Sequence, residues 1–196
     1  MNKELKKLIF YELNEVPLRV LKKYILTNPK SNLSYICKIG VLKNTITFDE
    51  GELHPWSTWP TVHRGVNNKI HQIKFINQDL SEAKPWPSIW EVLIGKNISI
   101  GIFGSLQSFP PIKHELVKFY LPDTFSPNPE SIPAEIEHFQ DFNLSLTKRN
   151  KAISRNIFLK DYLKFFKLII IGSFSINTIY KVLMQLFSEI INKKNK

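Results

Sequence analysis

The chain has 196 residues, 43% of them hydrophobic, enough for one domain with a core and a short appendage. Its one cysteine, Cys37, excludes an internal disulfide and a cysteine-rich zinc site, and the apolar residues around it predict a buried, inert thiol. The net charge of +10 lies almost wholly in the last quarter. Residues 148–196 carry eleven Lys or Arg against Asp161 and Glu189, a net of +9, while residues 1–147 carry the remaining sixteen basic and fifteen acidic groups. This divides the chain into a nearly neutral domain, 1–147, and a basic segment, 148–196.

The start is basic and then apolar, but the run from Leu8 to Tyr11 falls short of the roughly 7–15 apolar residues of a secretory signal. A cytoplasmic or peripheral-membrane location is expected, and "KKLIFYEL" reads as a first β-strand. "VPLRVLKKYI" follows as a helix, with Val16, Val20, Leu21 and Tyr24 at helical spacing. "NLSYICKIGVLKNTITF" predicts a short helix or strand and then a second strand near Asn44–Phe48. The aromatic stretch from Glu52 to Val66 comes next. "SIWEVLIGKN" reads as a helix with Ser88 near its N-cap. "ISIGIFGS" gives a strand over Ile98–Phe103 ended by Gly104, and "KFYLPD" a further short strand. The Pro- and acid-rich Leu121–Asn143 predicts a surface excursion. The tail has the pattern of two amphipathic helices broken near Gly172–Ser175. Lys167 and Lys181 bracket its apolar run too closely for a membrane span of about 20 residues.

Strands alternating with helices predict an α/β fold built on a mostly parallel sheet. Ligands of such sheets gather beyond the carboxyl ends of the strands. That directs attention to Glu12, Asn14 and Glu15 after the first strand, and to Gly104, Ser105 and Gln107 after "ISIGIF". In the aromatic stretch, Trp56, Trp59 and Pro60 read as core and turn residues and Thr58 as a helix cap. His63 and His71 read as loop or capping residues.

The segments "LIFYELNEVP", "STWPTVH", "IHQI", "PSIWEVLIGKNISIGIFGS" and "YLPDTFSPNPESIP" stand in an order that resembles the alkaline phosphatase superfamily. The resemblance is to its type I phosphodiesterase and nucleotide pyrophosphatase branch, itself similar to the sulfatases, and it covers roughly Leu8 to Asn143. It implies a partial α/β sandwich and two divalent metals, usually zinc. It also implies Thr58, in Thr58-Trp59-Pro60, as the nucleophile at a helix start, and Asn14 as a metal ligand where the family has Asp. Metal coordination would lower the pKa of the hydroxyl, and the helix N-terminus would offer N–H groups to the phosphate.

Asn14 brings no charge to such a site. Strand alternation puts Glu12 on the same face, so Glu12 is a further candidate ligand. The later Asp-His pair of the family has no counterpart, and no histidine follows His138. The expected function is therefore the N-terminal portion of a metal-dependent phosphate- or sulfate-ester hydrolase, incomplete or inactive alone. The alternative is a non-catalytic protein whose basic helical tail engages an anionic membrane surface or a partner protein. Nucleic acid is disfavoured, because the basic segment has no RNP, KH or zinc signature.

Overall fold

The structure, a computed structural model, describes residues 7–147, 163, 164, 167, 169, 170 and 175–194. Its centre is a parallel pair of strands, β1 (Ile100–Phe103) and β2 (Val117–Leu121). Alternation along β1 buries Ile100 and Ile102 and turns Gly101 and Phe103 outward. Ile102 faces Tyr120 across the pair, and Phe103 faces Leu121. The expected strand is present, starting two residues later than the sequence suggests.

Helix α5 (Ile89–Gly95) covers the inner face. Ser88 caps it: its N–H and its hydroxyl each donate to Glu91 Oε2 at 2.6 Å, which fixes the first turn. Trp90 then drops into the core with Ile100, Ile102, Val117 and Tyr120, and Leu93, Ile94, Ile112 and Ile132 pack around them. The Tyr120 hydroxyl is fully buried and donates to the Ser108 carbonyl at 2.6 Å, holding the loop after β1 against the core. Burial pushes that phenol's pKa up.

The remaining helices are α1 (Leu18–Thr27), α2 (Asn32–Ile39), α3 (Pro55–Arg64), the single turn α4 (Asn68–His71), α6 (Glu137–Thr147) and α7 (Ile176–Lys194). α1 and α2 pack together, joined by Ser34, whose hydroxyl donates to the Asn28 carbonyl at 2.7 Å. Of the apolar face expected on α1, Leu21 is half-buried while Val16, Val20 and Tyr24 are exposed. Cys37 is half-buried, more accessible than its neighbours suggest.

Three expectations need correction. The described part of the "KKLIFYEL" segment, residues 7–13, takes no regular secondary structure and has no strand partner among the described residues, and Ile9 is 87% exposed. Asn44–Phe48 is likewise no strand, and Ile46 and Phe48 face solvent. Apolar, β-branched composition supplies strand propensity, but a strand exists only where another backbone accepts its hydrogen bonds. Leu121–Asn143 is not a surface excursion either. Leu121, Pro122, Asp123, Ser126, Ser131 and Gln140 are buried, and Ile132 bridges antiparallel to Tyr120 through two backbone bonds of 2.7 and 2.8 Å. The prolines mark turns that fold the segment back onto the sheet edge, where α6 clamps it.

In the tail, α7 accounts for one of the two expected helices; the break near Gly172–Ser175 falls largely outside the described residues. Among the described residues no helix is long and apolar enough to cross a membrane.

Candidate functional site

Three segments meet beyond the carboxyl end of β1. The first is the N-terminal run ending in the turn at Asn14–Glu15, the second is α3, and the third is the turn Gly104–Gln107. Gly104 sits at φ 65°, a left-handed turn that lets the chain leave β1 sharply without a Cβ clash. Ser105 follows it.

The Ser105 hydroxyl donates to both carboxylate oxygens of Glu12, at 3.0 and 3.1 Å. His63 Nε2 lies 2.7 Å from Glu12 Oε1, and the ring is 4% exposed. Glu12 is acceptor-only, so Nε2 carries the proton of this bond. Ser105 Oγ is also 3.3 Å from that same Nε2. In a Ser-His-acid relay the acid and the serine occupy opposite ring nitrogens. Here both meet Nε2, whose proton is committed to Glu12, so His63 cannot take the serine's proton. The trio is a carboxylate oriented by two donors. Trp90 (ring centroids 4.9 Å apart) and Trp59 (5.8 Å) flank the imidazole, joining the site to the core.

Asn14 lies beside this trio and accepts the Trp59 indole N–H at 3.0 Å. Glu12, Asn14, Trp56, Trp59, Gly104 and Phe125 are among the residues around a cavity of about 410 Å³, which Glu15, Pro55 and Leu106 complete. Of the predicted site residues, Glu12 and Asn14 thus line one cavity. Thr58 is not among its lining residues; its hydroxyl donates to the His54 carbonyl, 3.0 Å away in its own helix.

The N-terminus of α3 is poorer in free N–H groups than expected for an anion cradle. Pro55 has none, and those of Ser57 and Thr58 both donate to the His54 carbonyl at 3.0 and 2.9 Å. Pro60, inside the helix, deprives the Trp56 carbonyl of its ordinary donor. Gln107 supplies a replacement through Nε2 at 3.3 Å, and it also reaches the Phe75 carbonyl at 2.7 Å. Its own backbone N–H is held by Asp123 Oδ2 at 2.9 Å. Burial raises the Asp123 pKa, and the N–H groups of Phe125 and Gln107 oppose that rise. The hydrogen bond missing from α3 at Pro60 is thereby replaced from the turn after β1.

A second polar cluster supports the far side of α3. Ile73 N–H donates to His71 Nδ1 at 2.9 Å, so Nε2 carries the ring proton and donates to Thr61 Oγ1 at 3.0 Å. Thr61 donates in turn to Asp49 Oδ1 at 2.7 Å, which also receives the Asn68 N–H at 2.8 Å. The Asn68 side chain closes a two-way clasp on the Glu50 backbone at 2.8 and 3.1 Å. Burial lowers the His71 pKa. Asp49 Oδ2 is buried with no hydrogen-bond partner among the described residues. Arg64 anchors the other end of α3 by donating to the carbonyls of Ala83 and Trp86, and burial lowers its pKa.

Sequence reasoning placed His63 in a capping role and missed it as Glu12's partner. The available signal was its spacing, four residues after Trp59 on the same helix face. Among the described residues, no three His, Cys, Asp or Glu side chains gather as a metal cluster. No family model, no curated protein and no solved structure matches this chain.

Proposed function

We propose that this chain carries part of the active site of a metal-assisted phosphate- or sulfate-ester hydrolase of the alkaline-phosphatase-like type. Glu12 and His63 would be ligands, Asn14 a neutral third ligand and Thr58 the attacking hydroxyl. The observation that supports this reading is the convergence of Glu12, His63 and Ser105 at the carboxyl end of β1, although 93 residues separate Glu12 from Ser105. Ligand sites of parallel sheets form at such an edge.

One imidazole and one carboxylate are donors of the kind zinc takes, and binding would require His63 Nε2 to give up the proton it now shares with Glu12 across 2.7 Å. The Asn14 carbonyl oxygen keeps a second lone pair after accepting from Trp59. A bound metal would acidify a coordinated hydroxyl and screen charge on the ester. Ser105 acts as a positioning residue, fixing both oxygens of Glu12. Thr58 stands one helical turn after the cavity-lining Pro55 and next to Trp59. Releasing its bond to the His54 carbonyl costs about 1 kcal/mol. With so few ligands the chain alone is expected to turn over slowly or not at all.

The test is zinc binding by the intact chain, read by competition with a chromogenic chelator, alongside hydrolysis of bis(4-nitrophenyl) phosphate and 4-nitrophenyl sulfate. One equivalent of zinc should bind and be lost in Glu12→Gln and His63→Ala. Any zinc-dependent turnover should vanish in Thr58→Ala. A folded chain that binds no zinc, or binds it equally in both ligand variants, refutes the assignment.

A second reading has its own support in α7. Ile176, Tyr180, Leu183 and Met184 form a stripe at helical spacing and are all exposed, Ile176 by 87%, on a segment that carries most of the net charge. Such a helix suits an anionic membrane surface, where each Lys adds on the order of 1 kcal/mol. Flotation with anionic but not neutral liposomes, weakened by salt, is the expected result. Failure to float with either removes this reading.

A further inference from the structure

The cavity beside Glu12 has walls that the hydrolase reading does not use. Trp56, Trp59 and Phe125 provide aromatic surface, and Glu12 and Glu15 provide negative charge, while among the described residues no Lys or Arg lines the space. Each tryptophan has partners of its own within the chain. His54 stacks on Trp56 with ring centroids 4.6 Å apart, and Trp59 is fixed by its bond to Asn14 and by stacking on His63.

Glu15 is the more telling residue. Its φ of 53° is in the left-handed region, which a residue with a side chain seldom adopts without compensation. Among the described residues no hydrogen bond or ion pair engages its carboxylate, which stands at the cavity. A carboxylate left without a partner at a cavity rim is placed to meet a ligand's positive charge.

We infer that this cavity binds an organic cation, a primary or quaternary ammonium head group, with the tryptophan faces and Glu15 as its recognition surface. Ammonium groups are attracted to indole faces, and a carboxylate at the rim adds charge recognition. A volume of about 410 Å³ accepts a ligand of small-molecule size. Resting on the hydrolase reading, one extension follows. There the metal would offset the charge of Glu12, and Glu15 at the rim favours a substrate whose alcohol carries a positive nitrogen.

The experiment titrates the full chain with choline and, separately, with its uncharged isostere 3,3-dimethylbutan-1-ol. The readout is the indole N–H NMR signals of the chain's four tryptophans. Choline should shift the Trp56 and Trp59 signals saturably and leave Trp86 and Trp90 in place. The isostere should bind at least about 10-fold more weakly, and Glu15→Gln should weaken choline about 5-fold without altering the free spectrum elsewhere. Equal binding of choline and isostere would reduce the cavity to an apolar pocket and overturn the inference, as would shifts confined to Trp86 and Trp90, or no shift at all. No metal and no turnover enter this measurement. Loss of zinc binding with choline binding intact would therefore sink the hydrolase reading alone, and the converse result would sink this one alone.

Discussion

Gln140 is fully buried on α6, and its replacement by leucine is the sharpest test of how the fold supports the site. Its Nε2 donates to the carbonyls of Pro122 and Asp123, at 3.2 and 2.8 Å, and to Ser126 Oγ at 3.0 Å. Two N–H hydrogens are thus shared among three acceptors. Leucine keeps most of the volume, so the cavity contribution is small. What is lost is the donor, leaving two buried carbonyls with less than their due. At about 1–2 kcal/mol for each unsatisfied acceptor, Gln140→Leu should cost about 2–4 kcal/mol. Ser126 softens the loss little, because its own proton goes to the Asn128 carbonyl at 3.1 Å. The effect should also reach the site, since Asp123 holds the Gln107 backbone and Gln107 holds the Trp56 carbonyl. Urea unfolding followed by tryptophan fluorescence should show a lower midpoint with an unchanged slope. A loss below about 0.5 kcal/mol would mean the carbonyls find other donors and the clamp is not real.

His71 should make stability pH-dependent. Burial lowers its folded pKa below the ordinary 6.5, so the unfolded chain takes the proton first as pH falls. Stability is fully present above about pH 6.5 and declines as pH drops toward the folded pKa; thermal melts from pH 8 to 5 should show this, and His71→Gln should flatten the decline. Ser88→Ala removes the cap of α5 and should cost about 1 kcal/mol, a few degrees of Tm; Ser88→Thr should recover most of it, and an unchanged melt for the alanine variant would deny the cap its role.

How far the sequence foretold this structure depends on how local each signal is. α5 was legible because Ser88, Glu91 and the apolar spacing lie within one short window. β1 and β2 were legible from runs ended by Gly104 and Pro122. The "KKLIFYEL" and Asn44–Phe48 segments carry equally good strand composition, yet their outcome hangs on a partner backbone elsewhere, which no local window contains. The site divides the same way. Glu12 and Asn14 were singled out as the end of a first strand; both line the cavity, although no strand carries them there. Ser105 was noted for the same reason, but its pairing with Glu12 was not foreseeable. His63 required knowing that α3 turns its 59/63 face toward the N-terminal segment. The Gln107 bond to the Trp56 carbonyl is a tertiary answer to a local defect at Pro60, and only the defect is visible in sequence.

The docking of the N-terminal segment, residues 7–15, has a kinetic consequence. Tying Asn14 to Trp59 closes a loop of 45 residues, which costs about 3 kcal/mol in chain entropy. The bonds that hold the segment, from Trp59, His63 and Ser105, are few, each of about 1 kcal/mol or slightly more. Leu8, Ile9 and Tyr11 bury little surface to add to them. The two sides nearly cancel, so residues 7–15 should detach and return far more often than the core around Tyr120 opens. Glu12, Asn14 and Glu15 travel with that segment while His63, Trp59 and Ser105 stay behind. Half of the site is then a latch, and a ligand touching both halves would hold it shut. Amide exchange would register this as slowed opening of residues 7–15 alone.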